Sequence, residues 1–273
     1  MNINGEKRMT ALLCPVCKNP LTTQERSFRC EKGHCFDMAK EGYVNLLTGN
    51  KDGSLIGDNR DMARSRKEFL DKRYFEPLAS ALCEIVGSLT PAHVLDICCG
   101  EGYYTQAVAD TCDADVLGFD ISKEMVRLAA KRKSRAQFFV ANMADIPLAD
   151  ASIDCALHLF APFCEREFAR ILSVGGHLVS VCPGENHLWE LKETLYETPY
   201  KNEESFPEIS GFTPVKVIRA GNNITLNSRE DIDALFKMTP YYYHTSAKDK
   251  EKLQSLEKLT TQTDFYIRIY RKD

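Results

Sequence analysis

Residues 94–105 read Val-Leu-Asp-Ile-Cys-Cys-Gly-Glu-Gly-Tyr-Tyr-Thr. The apolar start predicts a buried strand, the glycines predict a tight turn, and the residues after them predict a helix. A glycine-rich turn between a strand and a helix lets the backbone approach a ligand closely. A dinucleotide site is the first alternative, but it requires G-x-G-x-x-G to hold a pyrophosphate. Here the turn reads C-C-G-E-G after the acid Asp96, so the stretch predicts a different ligand.

Apolar runs on both sides of this turn alternate with amphipathic stretches. Strands are predicted at 93–97, 115–120, 136–141, 152–160, 176–182, 213–220 and 264–270. Helices are predicted after Tyr103, from Ser122, and at 165–172, 228–236 and 247–256. This alternation predicts a Rossmann-like α/β fold, in which a parallel sheet carries helices on both faces.

The chain divides into three predicted parts. Residues 1–45 form a zinc-binding module, residues 46–90 a linker and helical connector, and residues 91–273 the sheet domain. Within the connector, residues 50–59 are rich in Gly, Asn and Asp, and residues 60–86 have helical spacing that is interrupted near Pro77.

A small metal site is predicted from a cysteine pattern near the start of the chain. Cys14, Cys17, Cys30 and His34 are spaced C-x2-C-x12-C-x3-H, which brings two close ligand pairs together around a tetrahedral ion. Soft thiolates with one imidazole favour zinc over hard cations. Cys35 is the alternative fourth ligand. Four protein ligands leave no open position on the metal, so a structural or RNA-facing role is expected rather than a catalytic one.

Composition and charge limit the classes of function. The 11 cysteines are odd in number and two are adjacent, which favours a reducing, cytoplasmic setting. The start of the chain is polar and no run is long enough to span a membrane, so no membrane association is expected. The net charge is −4, yet residues 1–75 hold 14 of the 35 basic residues and only 10 of the 39 acidic ones. If RNA is bound, this part should hold it; a solvated helical face explains the excess equally well.

An acid ends the next predicted strand, 24 positions after Asp96. Asp120 is placed to accept hydrogen bonds from a ribose diol. The acid-first turn resembles the first motif of the class I methyltransferases, which use S-adenosylmethionine, a cofactor with a cationic sulfonium. That resemblance implies that Asp96 lies at the methionine end of the cofactor. After the third strand, either Asn142 or Asp145 could read the adenine edge; a helix cap or a turn is the competing interpretation of both.

Nearly the whole chain resembles the bacterial 23S rRNA (guanine-N1)-methyltransferases. The resemblance rests on CPVC at 14–17, FDMAKEGYVNLL at 36–47, CGEGYYT at 99–105, Ala161-Pro162, Pro183-Gly184, His187-Leu188, Met238-Thr239-Pro240 and QTDF at 262–265. It implies a fold with a class I methyltransferase sheet and an N-terminal zinc module, and methyl transfer to N1 of a guanine in a 23S rRNA hairpin loop. By the same resemblance, Cys14, Cys17, Cys30 and His34 bind zinc.

The resemblance also implies cofactor contacts at Gly100, Glu101, Gly102 and His187. The family has a tyrosine just before a Pro-Leu pair where this chain has Phe75, with Tyr74 beside it. A stacking contact could survive that change, whereas a hydroxyl contact could not.

A second departure is Cys98, which replaces the usual first glycine of the turn. A side chain there must point away from the cofactor or narrow its pocket.

The proton on guanine N1 must be removed for methylation, and the base must leave its stack. Phe160, Ala161 and Pro162 are candidates for the floor of the base pocket, with Asp37 or Glu185 as the proton acceptor. Either carboxylate is more commonly a salt-bridge partner than a base.

Two rival functions remain open at this stage. A small-molecule methyltransferase would use the zinc module as a lid or dimer contact, and would have a deep closed pocket. A non-enzymatic zinc-dependent interaction protein would have lost the cofactor. A homodimer is also left open.

Overall fold

The computed structural model describes residues 12–48, 60–203 and 207–273. The Gly/Asn/Asp-rich linker at 50–59 and the polar start at 1–10 lie outside these ranges. Within them the strands are β1 Thr22–Gln24, β2 Ser27–Arg29, β3 Cys35–Asp37, β4 Val44–Asn45, β5 His93–Ile97, β6 Asp115–Asp120, β7 Gln137–Val140, β8 Ile153–Leu159, β9 Leu172–Pro183, β10 Phe212–Ala220, β11 Asn223–Leu226, β12 Leu259–Gln262 and β13 Phe265–Lys272.

The helices of the same ranges are α1 Arg60–Asp71, α2 Glu76–Leu89, α3 Tyr103–Thr111, α4 Lys123–Lys131, α5 Glu165–Ile171, α6 Trp189–Leu195, α7 Arg229–Lys237, α8 Tyr241–His244 and α9 Ala247–Gln254, with a 3₁₀ helix at Met143–Asp145. Ser122 and Ser228 cap α4 and α7 through their hydroxyls, which accept from the Met125 and Asp231 N–H groups. Both helices therefore begin where the sequence predicts.

The central sheet has eight strands in the order β10-β13-β9-β8-β5-β6-β7-β4. From β9 to β4 all neighbours are parallel, which confirms the predicted doubly wound arrangement. At the other end, β13 is antiparallel to β9 and β10 is antiparallel to β13. The two last long strands of the chain thus extend the parallel part of the predicted sheet at one edge as an antiparallel pair.

Successive residues of a central strand pack on opposite faces of the sheet. Val94 lies in the apolar cluster beneath α2, α3 and α7, whereas Leu95 lies in the cluster shared by α5 and the zinc module. Leu12, Leu21 and Phe28 of the module are buried in this second cluster. The module is thus joined to the sheet by an apolar contact as well as by the pairing of β4 with β7.

The break in the helical connector falls earlier than predicted. Residues 72–75 form turns between α1 and α2, and Arg73 has a positive φ of 64°. Pro77 instead stands at the first turn of α2. A proline is tolerated there because its missing N–H would have no helical partner.

Candidate functional site

Four ligand atoms meet in the N-terminal module. The Cys14 Sγ and the Cys30 Sγ lie 3.5 and 3.3 Å from the His34 Nδ1, and the Cys17 Sγ lies 3.6 Å from the Cys30 Sγ. A tetrahedral zinc ion, with bonds of about 2.3 Å to sulfur and about 2.0 Å to nitrogen, requires ligand atoms roughly 3.5–3.8 Å apart. The residues therefore fit zinc.

Cys35, the alternative ligand, is exposed on β3 and does not belong to this group of four. The ion would supply structure, since three thiolates and one imidazole fill its coordination sphere.

The second predicted site lies at the carboxyl ends of the parallel strands, where α/β sheets bind their ligands. β5 ends at the glycine turn and β6 ends at Asp120. The two are held together, because the Asp120 Oδ2 accepts from the Gly100 N–H at 3.0 Å and the Oδ1 accepts from the Ser122 N–H at 2.8 Å. The partly exposed Asp120 thus stands beside the turn, where a carboxylate can accept hydrogen bonds from a diol.

Asp96 is the deepest acid of this site. It is 2% exposed, and its Oδ2 accepts a hydrogen bond of 2.5 Å from the Thr105 hydroxyl. Burial, together with the negative charges of Asp120 and Glu101, raises its pKa to about 7 against the lowering effect of the Thr105 bond. A buried acid that resists ionisation favours a neighbouring cation, which is the chemistry of a sulfonium or an ammonium group. The donor set therefore fits S-adenosylmethionine.

The three residues of the turn differ in what they offer. Gly100 has a φ of 56° and faces Arg66 of α1, whose Nη1 would lie 3.6 Å from a Cβ at that position. At Gly102 a Cβ would stand only 2.7 Å from the Ala129 Cβ, so this glycine is needed for helix packing.

The Glu101 carboxylate is held by Arg132, which also forms an ion pair of 2.9 Å with Asp71. Its side chain is therefore directed to Arg132, which leaves the backbone as the part of Glu101 that can face a ligand.

Cys98 adopts the left-handed conformation that favours glycine, with a φ of 57°. Its Sγ lies 3.9 Å from the Met143 Sδ, and Cys98 packs against the cluster beneath α5. The thiol is thus directed toward Met143.

Residues that follow the third strand are already engaged within the chain. The Asn142 Oδ1 accepts from the Ala144 N–H at 2.9 Å and caps the 3₁₀ helix. Asp145 forms an ion pair of 2.6 Å with Lys18 of the zinc module. Both side chains are exposed, and the Asn142 amide nitrogen can serve an adenine edge while its oxygen keeps the cap.

An aromatic cluster lies at the same edge of the sheet, beyond β8 and β9. The ring of Phe265 lies 5.0 Å from Phe75, 4.6 Å from His187 and 5.7 Å from Phe160 between centroids. Tyr74 is directed elsewhere, because its hydroxyl donates to Asp231 of α7 at 2.9 Å. Phe75 therefore retains the position for a stacking contact, and Tyr74 does not replace the missing hydroxyl.

His187 is buried in this cluster and is neutral. Burial lowers its pKa to about 3, and its Nδ1 accepts from the Asp264 N–H at 3.2 Å. The ring proton consequently resides on Nε2, which can act as a donor.

Phe160 is the exposed member of the cluster. It is 47% exposed and has a φ of 54°, a conformation that a phenylalanine rarely adopts. The following segment is fixed by His158, whose Nε2 donates to the Pro162 carbonyl at 3.0 Å. The ring is thus presented at the carboxyl end of β8.

The two weak candidates for the proton acceptor lie on different elements. Glu185 is in the loop after β9, with an ion pair of 2.6 Å to Lys201, whereas Asp37 is exposed on β3 of the zinc module. Three residues near the site were not named as candidates in the sequence analysis, namely Arg66, Tyr104 and Phe265. Tyr104 and Phe265 stand within CGEGYYT and QTDF, so the motifs contained a signal for them, whereas Arg66 stands in none of the motifs.

A doubly wound sheet with an acid-first glycine turn, a second acid at the end of the next strand and a Cys3His cluster defines a zinc-containing, S-adenosylmethionine-dependent methyltransferase of class I. Comparison with known proteins agrees. The family model "RlmA, N-terminal" matches residues 12–54, and the model "Methyltransferase domain" matches residues 94–176.

Three relatives identify the family within this class of methyltransferases. The chain is 40% identical to a 23S rRNA (guanine(748)-N(1))-methyltransferase of Streptomyces fradiae over 190 residues, which is 67% of each chain. It is 35% identical to a candidate 23S rRNA (guanine-N(1)-)-methyltransferase of Micromonospora griseorubida, over 67% of this chain and 69% of the relative. A candidate enzyme of the same name in Bacillus subtilis is 31% identical over 88% of this chain and 89% of the relative. The chain belongs to the 23S rRNA (guanine-N1)-methyltransferase family.

Proposed function

We propose that this chain transfers the methyl group of S-adenosylmethionine to N1 of a guanine in a hairpin loop of 23S rRNA. The observation that carries the proposal is the match, over most of the chain, to relatives named for this reaction. The rival of a small-molecule methyltransferase does not account for a match that includes the zinc module.

The site supports a planar base as the methyl acceptor. Phe160 presents its ring at the carboxyl end of β8, beside the cluster of Phe75, His187 and Phe265. Bases that leave their stack are received by aromatic side chains, and an unpaired loop base leaves it at low cost. The exposed aromatic ring of Phe160 at the edge of the sheet therefore suits a nucleotide of a large RNA.

Guanine N1 must lose its proton as the methyl group is transferred. Of the two candidate carboxylates, Glu185 follows β9 at the edge of the sheet that carries Phe160, so we retain it as the proton acceptor. Asp37 is not retained, because it lies on β3 of the zinc module. Glu185→Gln should lower kcat and leave the affinity for S-adenosylhomocysteine unchanged, because the amide keeps the size and loses the basicity.

The direct test uses 23S rRNA from cells that lack the gene. The purified protein and methyl-labelled S-adenosylmethionine should yield 1-methylguanosine after digestion, detected by mass spectrometry. Reverse transcription should stop at one hairpin guanine, because a methyl group on N1 blocks the pairing edge. Phe160→Ala should reduce the yield without weakening cofactor binding. Methylation of another atom, or no transfer to any rRNA, would overturn the proposal.

A further inference from the structure

Tyr104, the second residue of α3, carries a buried hydroxyl. In the part of the chain that the structure describes, its Oη has no hydrogen-bond partner. A buried polar group without a partner destabilises a fold by about 1–3 kcal/mol. Such groups are rare in native proteins, and one explanation is a partner from outside the chain, such as a water, an ion or a ligand.

The surroundings of this hydroxyl are charged. Arg66, Asp96 and Glu101 lie close enough for their charges to act on the Tyr104 phenol. The Glu101 carboxylate is already held by Arg132, with the side chain of Arg132 only 7% exposed. Arg66 and Asp96 thus place a cation and an acid beside Tyr104.

Helix α1 is fixed over the glycine turn. At its end Asp71 forms an ion pair with Arg132, the same residue that holds Glu101 of the turn. Phe69 and Leu70 anchor the helix in the apolar cluster of the sheet. Arg66 lies five residues before Asp71, about 7.5 Å along the helix axis. Its guanidinium lies beside the glycine turn, because the Arg66 Nη1 would stand 3.6 Å from a Cβ at Gly100.

We propose that Arg66 and Tyr104 bind the α-carboxylate of the methionine moiety of S-adenosylmethionine. A guanidinium and a phenol are both donors and suit a carboxylate, while Asp96 suits the positive end of the same zwitterion. The inference rests on the cofactor and not on the RNA substrate, so it can fail while the proposed function holds.

The affinities of two ligands distinguish carboxylate binding by Arg66 from a general effect of the substitution on the glycine turn. S-adenosylhomocysteine carries the amino-acid tail, whereas 5′-methylthioadenosine has the same adenosine and thioether without it. By calorimetry, Arg66→Gln should weaken S-adenosylhomocysteine about ten- to a hundredfold and 5′-methylthioadenosine less than about twofold. Arg64→Gln, an exposed position on the same helix, is the matched control and should leave both affinities unchanged.

Tyr104→Phe provides a test that does not depend on the arginine. Removal of an unpartnered hydroxyl should make the cofactor-free protein more resistant to urea, and should weaken S-adenosylhomocysteine about three- to tenfold. A purely structural tyrosine would not change both properties in opposite directions.

Three outcomes would overturn the inference. These are equal losses for the two ligands, no loss for either ligand, or an Arg66→Gln effect confined to RNA binding and its salt dependence.

Discussion

At the scale of single residues, Asp120 connects the glycine turn to the predicted ribose site. Its carboxylate accepts from Gly100 and Ser122, so it shapes the turn as well as offering lone pairs. Asp120→Ala should lower the affinity for S-adenosylmethionine about ten- to a hundredfold, from the loss of roughly 1.5–3 kcal/mol of charge-assisted hydrogen bonding. Asp120→Asn, which keeps one oxygen, should lose less. Unchanged calorimetric affinity in the alanine variant would move the ribose elsewhere.

Asp96 predicts a pH dependence with a definite sign. Burial raises its pKa to about 7, so the carboxyl is largely protonated at pH 6. A cationic ligand favours the ionised form, and binding below pH 7 must therefore release a proton. Affinity should rise with pH, by at most about tenfold per unit, and level off above pH 7. Calorimetry at pH 6 in buffers of different ionisation enthalpy should detect the proton. Asp96→Asn should show neither proton release nor slope, and the same release from that variant would contradict the assignment.

The site candidates that the sequence could name are those indicated by local spacing. The zinc ligands lie within 21 residues of one another, and Asp96 and Asp120 lie at the ends of consecutive strands. The ion pair of Glu101 could not be predicted, because its partner Arg132 follows it in the chain only after α3, β6 and α4.

At the scale of elements, the folding of the zinc module depends on its metal ion. A segment this small has little core of its own, and metal binding supplies much of the free energy that folds it. Cys14→Ser with Cys30→Ser should remove the zinc found by elemental analysis and should weaken RNA binding more than cofactor binding. Cys35 is exposed and lies next to His34, so Cys35→Ser is the matched control and should retain the metal. Full zinc content in the double variant would refute the ligand set.

Elements with clear caps and alternation were predicted closely, whereas those that depend on tertiary contacts were not. α4 and α7 begin after the serines that the sequence indicated. β11 and β12 pair with each other in a two-stranded sheet apart from the main one. Nothing local distinguishes such short strands from loops, because their pairing partners are distant in sequence.

At the scale of the whole molecule, helix α1 and the zinc module lie beside the same helix of the sheet domain. Helix α1 contacts α4. Tyr43, near the end of the zinc module, packs with Val126 and Ala129 of the same helix. Helix α1 and the module therefore both lie against α4. Among the described residues no helix is long and apolar enough to cross a membrane.

Arg60 and Arg64 are the exposed cations of α1 on this side, whereas Lys67, Lys72 and Arg73 form ion pairs with acids. Reversal of both arginines to glutamate should weaken RNA binding and reduce the slope of log K against log salt by about 0.7–0.9 for each phosphate that is no longer neutralised. S-adenosylhomocysteine affinity should not change. Lys248→Glu with Lys258→Glu makes the same charge change at exposed sites in the C-terminal part of the chain and is the control. An unaltered slope would return α1 to the role of a solvated helix.

The pairing of β4 with β7 has a consequence for the lifetime of the protein in solution. β4 contributes only Val44 and Asn45, yet it covers the edge of a sheet whose next strand carries Phe138, Phe139 and Val140. At the opposite edge, β10 carries Pro214, an irregular register and Lys216, which disfavour pairing with another strand. Uncovered edge strands recruit other chains into mixed sheets. Loss of zinc would therefore do more than loosen the N-terminal module, since it would uncover β7 and make aggregation the characteristic fate of the metal-depleted enzyme.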